Sequence, residues 1–530
     1  MTIYGDLGEE KARQEAGIII GAFGAKKVTI SVVATDDGWI AYMFADGQLL
    51  VREAYLAQIR ADYENHARFE RLKAVIRGIV LVEVMFPDGS RYLEGREAPE
   101  ARHSERDQPA LLDLLDDLDE SFGPGVATLN HVLTAAGNGN PTGCPATEPQ
   151  ETYDPDPYPP RCRPGRPGRP GRPGRPGRPG KDDGVRIYVA DTGIVEATVA
   201  DCEWLQYDVT GDPDPSVSVS GTPIVIQPYG GHGTFVTGVI RCMAPNTEIK
   251  VGCVFDVAGS GLESDFVPRL YSGLRFGAEI IHVTVASPTR HNLPLIAFEG
   301  WLEELRQRKG AVCIAPAGNS NSRLPFWPAA FPEVISVGAL ATDWRSRAYF
   351  SDYGGWVNVY APGEDLVNAF PTGEYTCMVG SYAGEKRTFT GMAQWSGTSF
   401  STPVVTGLIA ARMARCGESA KEAAAALLAK ARAQAIPGVG PVLFPGCEGD
   451  DEHRGRCDGG CGRCGDCGCG GACGCGGGCG GRRGCAGGCG CGGGCGCGGG
   501  YGCGGGYGCG GGGHGGGYGG GRGRHGHLPR

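Results

Sequence analysis

Six consecutive Arg-Pro-Gly triplets at 163–180 divide this 530-residue chain into parts that must fold separately. Proline fixes φ and offers no N–H, so such a run is expected to be extended and solvated and to bury nothing. A second stretch is equally unable to hold a core. Residues 447–530 carry sixteen cysteines almost wholly embedded in glycine, with almost nothing apolar between them to collapse. Compact structure is therefore expected on either side of the triplets, in 36–144 and in 183–446, with 1–35 as an N-terminal extension and 145–182 as a linker.

The first compact part is a small mixed domain. Trp39-Ile-Ala-Tyr-Met-Phe44 and Gln48-Leu-Leu-Val51 flank Ala-Asp-Gly, a pattern of strand, turn and strand. Leu56, Ile59, Tyr63 and Phe69 recur at helical spacing, as do Leu111, Leu115, Leu118 and Phe122. Ile79-Val-Leu-Val-Glu-Val-Met-Phe86 is a strand, Pro87-Asp-Gly-Ser90 a turn, and Thr128 begins a last strand. The order predicts an α/β sandwich. In 183–446, by contrast, apolar strands alternate with amphipathic helices. Strands are expected at 185–190, 248–254, 280–285, 311–315 and 333–337. A helix carries Leu295, Phe298, Leu302 and Leu305. The fold class is α/β, a parallel sheet with helices on both faces, whose functional residues belong at strand ends.

Charge and cysteine usage narrow the function. A net charge of −10 gives no reason to expect nucleic acid as a partner, and the arginines of 161–178 read as a solubilising run. No apolar run reaches the roughly 18 residues of a transmembrane span. Ala16-Gly-Ile-Ile-Ile-Gly-Ala-Phe23 follows Glu9, Glu10 and Glu15 rather than a basic leader, so no standard signal peptide is expected. A cytoplasmic location is the default, with export by a non-classical route left open. Eight scattered cysteines between 144 and 416 suit a reducing compartment. The tail admits three readings besides a disordered extension: soft-metal chelation, a cyclised peptide core, or a cross-linkable attachment segment.

Three segments in fixed order carry chemistry. Asp191-Thr-Gly follows an apolar strand, which brings a carboxylate out at its carboxyl end. An aspartic-peptidase reading of that tripeptide needs a second copy, and none is present. His232 stands in Gly230-Gly-His-Gly-Thr, where glycines let the backbone turn into a helix and leave the imidazole unobstructed. Ser399 stands in Ser396-Gly-Thr-Ser-Phe-Ser-Thr-Pro403, ahead of a helical run at 404–415. A nucleophile there meets the positive end of a helix dipole. Ala315-Pro-Ala-Gly-Asn319 adds an amide suited to stabilise a developing oxyanion.

With these strings in place, residues 184–444 resemble the subtilisin-like serine peptidases (subtilases, family S8). The resemblance implies Ser399 as nucleophile, His232 as general base and then acid, Asp191 as its orienting partner, and Asn319 in the oxyanion hole. It implies an extended peptide held between two strand edges, Gly259, Ser260 and Gly261 on one side and Thr284, Val285 and Ala286 on the other. Ala315 and Gly318 would line the pocket for the residue before the cut. Phe235 and Thr284-Val-Ala depart from the family strings and leave substrate preference open. No cofactor is implied for catalysis, and a structural calcium, although compatible with the family, has no assignable loop; any metal ligand is unknown. The partners implied are polypeptide substrates and, as an inhibitor, the chain's own 36–144 domain, a prodomain by its order of elements. Activation cleavage is then expected in 141–183. The function implied is a serine endopeptidase, a hydrolase made as a zymogen and matured by its own proteolysis. The alternative is a metal-binding or structural cysteine protein that carries a peptidase-like scaffold.

Overall fold

A computed structural model describes residues 3–35, 40–86, 110–135, 146–161, 184–218, 220–255 and 258–445. The turn at 87–90, the Arg-Pro-Gly triplets and the Gly/Cys tail lie outside the described residues. The first part comprises α1 (Ile3–Ala25), β1 (Ile30–Ala34), β2 (Ile40–Arg52), α2 (Glu53–Asp62), β3 (Arg68–Ile76), β4 (Ile79–Met85), α3 (Ala110–Phe122) and β5 (Ala127–Ala135). β2 pairs antiparallel with β1, β4 and β5, and β3 adds to the outer edge of β4.

Alternation along these strands explains why their sequences are apolar at consecutive positions. Leu49, Val51, Val80 and Val82 face Leu56 and Ile59 of α2 and Leu111, Leu115 and Leu118 of α3. Leu50, Ile79 and Leu81 point the other way, into a cluster with Phe298, Trp301 and Leu302 of the second part. Both faces of this sheet are therefore buried, one within its own domain and one against its neighbour.

Three expectations are corrected here. The boundary at 36 is too late, because β1 pairs with β2 and Ile19 and Phe23 of α1 pack on Ile30, Ile40 and Met43. Ala45-Asp-Gly47 is not a hairpin turn; β2 runs through it with a register shift between Phe44 and Leu49, and Gly47 absorbs the irregularity at φ 68°. Phe69 is not helical, since α2 ends at Asp62 and Phe69 sits buried in β3.

The second part runs β6 (Val185–Asp191), α4 (Glu196–Asp201), β7 (Val209–Gly211), β8 (Val225–Ile226), α5 (His232–Met243), β9 (Thr247–Cys253), β10 (Ser260–Leu262), α6 (Glu263–Arg269) and α7 (Tyr271–Phe276). It continues with β11 (Ile280–Val283), β12 (Val285–Ala286), α8 (Ile296–Arg306), β13 (Val312–Pro316), β14 (Val334–Leu340) and β15 (Val359–Pro362). Then follow β16 (Leu366–Ala369), β17 (Gly373–Thr376), β18 (Lys386–Phe389), β19 (Met392–Trp395), α9 (Thr398–Cys416) and α10 (Ala420–Ala433). The main sheet has the order β15-β14-β13-β11-β6-β9-β7, with every neighbouring pair parallel. Val185, Ile187 and Val189 of β6 face α5 and α9, while Tyr188 and Ala190 face the opposite cluster, which includes Leu274 of α7. Helices cover both faces of the sheet, and its central strands are accordingly apolar at most positions, with Arg186, Glu248, Lys250 and His282 among the exceptions.

Residues 146–161 are not a solvated linker. Gln150 bridges to Gln394 and Tyr158 to Val367, while the Thr147 carbonyl accepts from Trp395 Nε1 at 2.7 Å. Arg387 donates to the Pro149 carbonyl at 2.7 Å, and Glu148 accepts from the Tyr375 hydroxyl at 2.9 Å. The segment is a strap laid on β16, β17 and β19. Proline kept it from being read as structure, yet such a strap needs only a few backbone donors. Among the described residues, no helix is long and apolar enough to cross a membrane.

Candidate active site

Asp191 ends β6 and His232 opens α5, so a strand end meets a helix start. His232 Nδ1 lies 2.8 Å from Asp191 Oδ1 and 3.0 Å from Oδ2, with both side chains fully buried. Asp191 Oδ1 also accepts from the Thr192 N–H at 2.6 Å. Two glycines make this approach feasible. Gly231 caps α5 at φ 82°, and a Cβ there would meet Pro371 Cδ at 2.5 Å. A Cβ on Gly233 would strike the Gly193 carbonyl and stand 3.2 Å from Asp191 Oδ1. The glycines of the Gly-His-Gly string are thus steric requirements of the Asp–His pair.

Ser399 is the second residue of α9, whose first turn leaves its amide without an intrahelical acceptor. The helix starts at Thr398, six residues before the run at 404–415 that the sequence suggests, and Pro403 lies inside it. Lacking an N–H, Pro403 cannot donate to the Ser399 carbonyl four residues back. α9 is buried almost all round and packs on α5, which brings Phe400 within 5.3 Å of the His232 ring, centroid to centroid. Ser399 Oγ and His232 Nε2 are both buried, and no described residue hydrogen-bonds to either. Buried polar atoms left so are costly and mark groups held ready for a reacting partner.

Asn319 follows β13. Its Oδ1 accepts from Thr398 N at 2.8 Å and from Thr398 Oγ1 at 2.9 Å. A backbone N–H can bond only to the oxygen, so the amide orientation is fixed and Nδ2 points away from Thr398. Thr398 Oγ1 in turn accepts from Gly318 N at 3.2 Å. The β13 end and the start of α9 are thereby locked together with the amide and hydroxyl side by side.

Both expected substrate edges are present, and both are taken. β5 pairs antiparallel with β10 through Thr134↔Ser260, Leu133↔Gly261 and Val132↔Leu262. It pairs with β12 through Ala135↔Val285 and Thr134↔Ala286. The Gly259 carbonyl accepts from Ala135 N at 2.9 Å. Side chains reinforce the insertion. Asn130 exchanges bonds with Ser264, Ser287 Oγ donates to the Val132 carbonyl, and Arg290 pairs with Asp119 at 2.7 Å and with Asp116. Thr284 stands between Val285 and the Asp191 strand, with Oγ1 bonded to the Ala190 carbonyl at 2.9 Å. Asp116, Asp119 and His291 bring ligand-type atoms within 4.8 Å, but the Arg290 guanidinium already pairs with both carboxylates and its positive charge opposes a structural cation there.

One residue escaped the sequence reading. Buried Asp214 accepts from Gly231 N and Thr192 Oγ1, each at 2.8 Å, and from Ser216 N at 2.9 Å. It ties the turn after Asp191 to the turn before His232. Its setting, Asp212-Pro-Asp214-Pro, reads only as a loop. Burial pushes its carboxyl up to about 6, against the pull of its three donors. A native carboxyl that holds its proton more tightly than the unfolded chain adds stability below about pH 4, and that increment is lost as pH rises through 6. Asp214→Asn should flatten this part of the melting-temperature profile between pH 4 and 6. It should also lower turnover at pH 7 about tenfold, because an amide turns an N–H toward one of the three donors. An unchanged profile and unchanged turnover would count against this role.

Residues 182–443 match the family model described as the subtilase family. A thermophilic serine proteinase of Bacillus sp. (strain AK1) is 33% identical over 245 residues, covering 43% of this chain and 51% of that protein. Thermitase of Thermoactinomyces vulgaris is 29% identical over 274 residues, covering 50% of this chain and 86% of that one. A solved structure of a cold adapted subtilisin-like serine proteinase is 22% identical, with a TM-score of 0.38, covering 49% of this chain and 89% of the other. The chain spans about half the length of the Bacillus proteinase. Its domain of residues 182–443 belongs to the subtilase family, peptidase family S8.

Proposed function

We propose that this chain is a serine endopeptidase made as a precursor that cuts itself. One observation carries the reading: a fully buried Asp191–His232 pair, a buried Ser399 hydroxyl whose neighbour Phe400 packs on the His232 ring, and an Asn319 amide bonded to Thr398 lie in a domain whose two strand edges hold an extended strand. Ser399 Oγ attacks the carbonyl carbon of a bound peptide as its proton passes to His232 Nε2. Asp191 holds Nδ1–H and stabilises the imidazolium. The carbonyl oxygen, now an anion, accepts from Asn319 Nδ2 and the Ser399 N–H. The C–N bond then breaks, and His232 returns the proton to the leaving amine. Water deacylates Ser399 by the same route, with His232 again as base.

In this reading the N-terminal domain is both first substrate and first inhibitor. β5 occupies the strand edges a peptide would use, and its sheet continues onto the enzyme as β10 and β12. Ala135 is the last described residue of β5, and the chain is described again from Ala146, with Thr147 bonded to Trp395 and Ser396, three residues before Ser399. Self-cleavage is therefore expected within 136–145, a stretch that begins five residues before the 141–183 suggested by the sequence. A fluorophosphonate probe tests the enzyme claim. Processed wild-type protein should gain one adduct, located on Ser399; a folded sample that takes none would remove the proposal.

A further inference from the structure

We propose that Phe326 closes the pocket for the residue before the cut, so that this site accepts only peptides with a small side chain there: alanine, glycine or serine. The inference rests on the peptidase reading above and names its substrate class.

The pocket follows from how two strands part. β11 and β13 run in parallel register up to His282↔Ile314. Beyond that pair the chain of β11 turns away into β12, which meets β5, while β13 runs on to Pro316 against β14. A crevice therefore opens between 284–287 and 315–318, next to the end of β6 and below Asn319. A peptide laid on β12 as Thr134 and Ala135 are, heading toward Thr284, delivers its next side chain into that crevice.

Phe326 already fills it. The ring is 3% exposed and packs with Ala286 on one wall, backed by Trp356. On the other wall its Cδ1 lies 3.0 Å from where a Cβ on Gly318 would stand. The ring is also held in place. Trp327 N donates to the Ser287 carbonyl and Ser287 N to the Trp327 carbonyl, each at 2.9 Å, so its backbone is bridged to the rim of the crevice. A leucine or phenylalanine side chain would have to displace an anchored aromatic ring in a close-packed interior, whereas an alanine or serine side chain asks for far less room. A basic side chain fares no better. Asp352 lies behind Gly318, where its Oδ1 accepts from Ser320 N and Ser322 N. Its burial drives the carboxyl well above the usual carboxylate range, and a lysine or arginine would have to displace the same anchored ring to reach it.

The chain's own strand agrees independently. Ala135 is followed in the sequence by Ala136 and Gly137, small residues at the point where β5 heads for the crevice. The self-cut is accordingly expected after Ala136.

The test uses the processed full chain and peptides acetyl-Leu-Thr-Ala-Xaa-Gly-Asn, with Xaa as Ala, Ser, Leu, Phe or Lys. Active sites are counted by fluorophosphonate. Wild type should show a kcat/KM for Ala about 100-fold above that for Phe or Lys. Phe326→Ala should raise the Leu and Phe peptides about 30-fold and leave the Ala peptide within about threefold. Phe326→Leu, a smaller change in volume, should give a weaker shift in the same direction and serves if the alanine variant does not fold. Comparable rates of wild type on Ala, Phe and Lys would overturn the proposal while the peptidase reading stands. So would labelled variants that gain nothing on Leu or Phe. Absence of label on wild type would remove both.

Discussion

Mapped by mass spectrometry, a freshly expressed Ser399→Ala chain is expected to stay joined across 136–145, while the wild type is cut there. The expectation combines two separate features. β5 lies on both expected substrate edges and ends at Ala135, and the strap is described again from Ala146, where Thr147 is bonded to Trp395 and Ser396, three residues before Ser399. Removing the hydroxyl leaves every one of these contacts intact and deletes only the nucleophile. Turnover on added peptides should fall by about 10⁶, the loss known for the serine of subtilisin itself, a relative. Equal processing of both chains would show that another peptidase makes the cut.

Asn319→Leu is expected to lower kcat by about 10²–10³ with little change in KM, again a magnitude taken from subtilisin. The split between the two constants follows from geometry. Thr398 holds Oδ1 through both its N–H and its hydroxyl, so Nδ2 is aimed by the fold and needs no reorganisation when charge develops. A ground-state carbonyl gains little from such a donor, but an oxyanion gains much. The substitution also leaves the Thr398 N–H and hydroxyl without their acceptor, at a cost of about 1–3 kcal/mol of stability. Rates should therefore be referred to labelled active sites. An equal rise in KM and unchanged kcat would instead assign Asn319 to ordinary substrate binding.

What the sequence revealed depended on how locally each feature is encoded. Asp191, His232, Asn319 and Ser399 were legible because each sits in a short string whose glycines, threonines and serines are needed by its immediate turn. The parallel sheet was legible because β6, β11, β13 and β14 are mostly apolar on both faces, while β9 carries Glu248 and Lys250 on one of them. Partnerships across the chain were not. β1 is five residues long and gains its identity from β2, so a boundary drawn from composition passed between them. Phe69 matches a helical period by chance, and only pairing with β4 makes it a strand residue. Asp214 and Phe326 carry no recognisable string. One acts through donors 17 and 22 residues away, the other by reaching a wall some 40 residues earlier in the chain.

The strap at 146–161 changes what maturation would leave behind. A cut within 136–145 turns the strap into the new amino terminus of the enzyme, already fastened by Glu148, Gln150 and Tyr158. At its other end Arg161 pairs with Glu203 and lies over the Trp204 ring, and the next described residues lead into β6. The arginine-rich triplets lie between these two anchored stretches in the sequence, so such a cut would leave their charge with the mature chain rather than with the released domain.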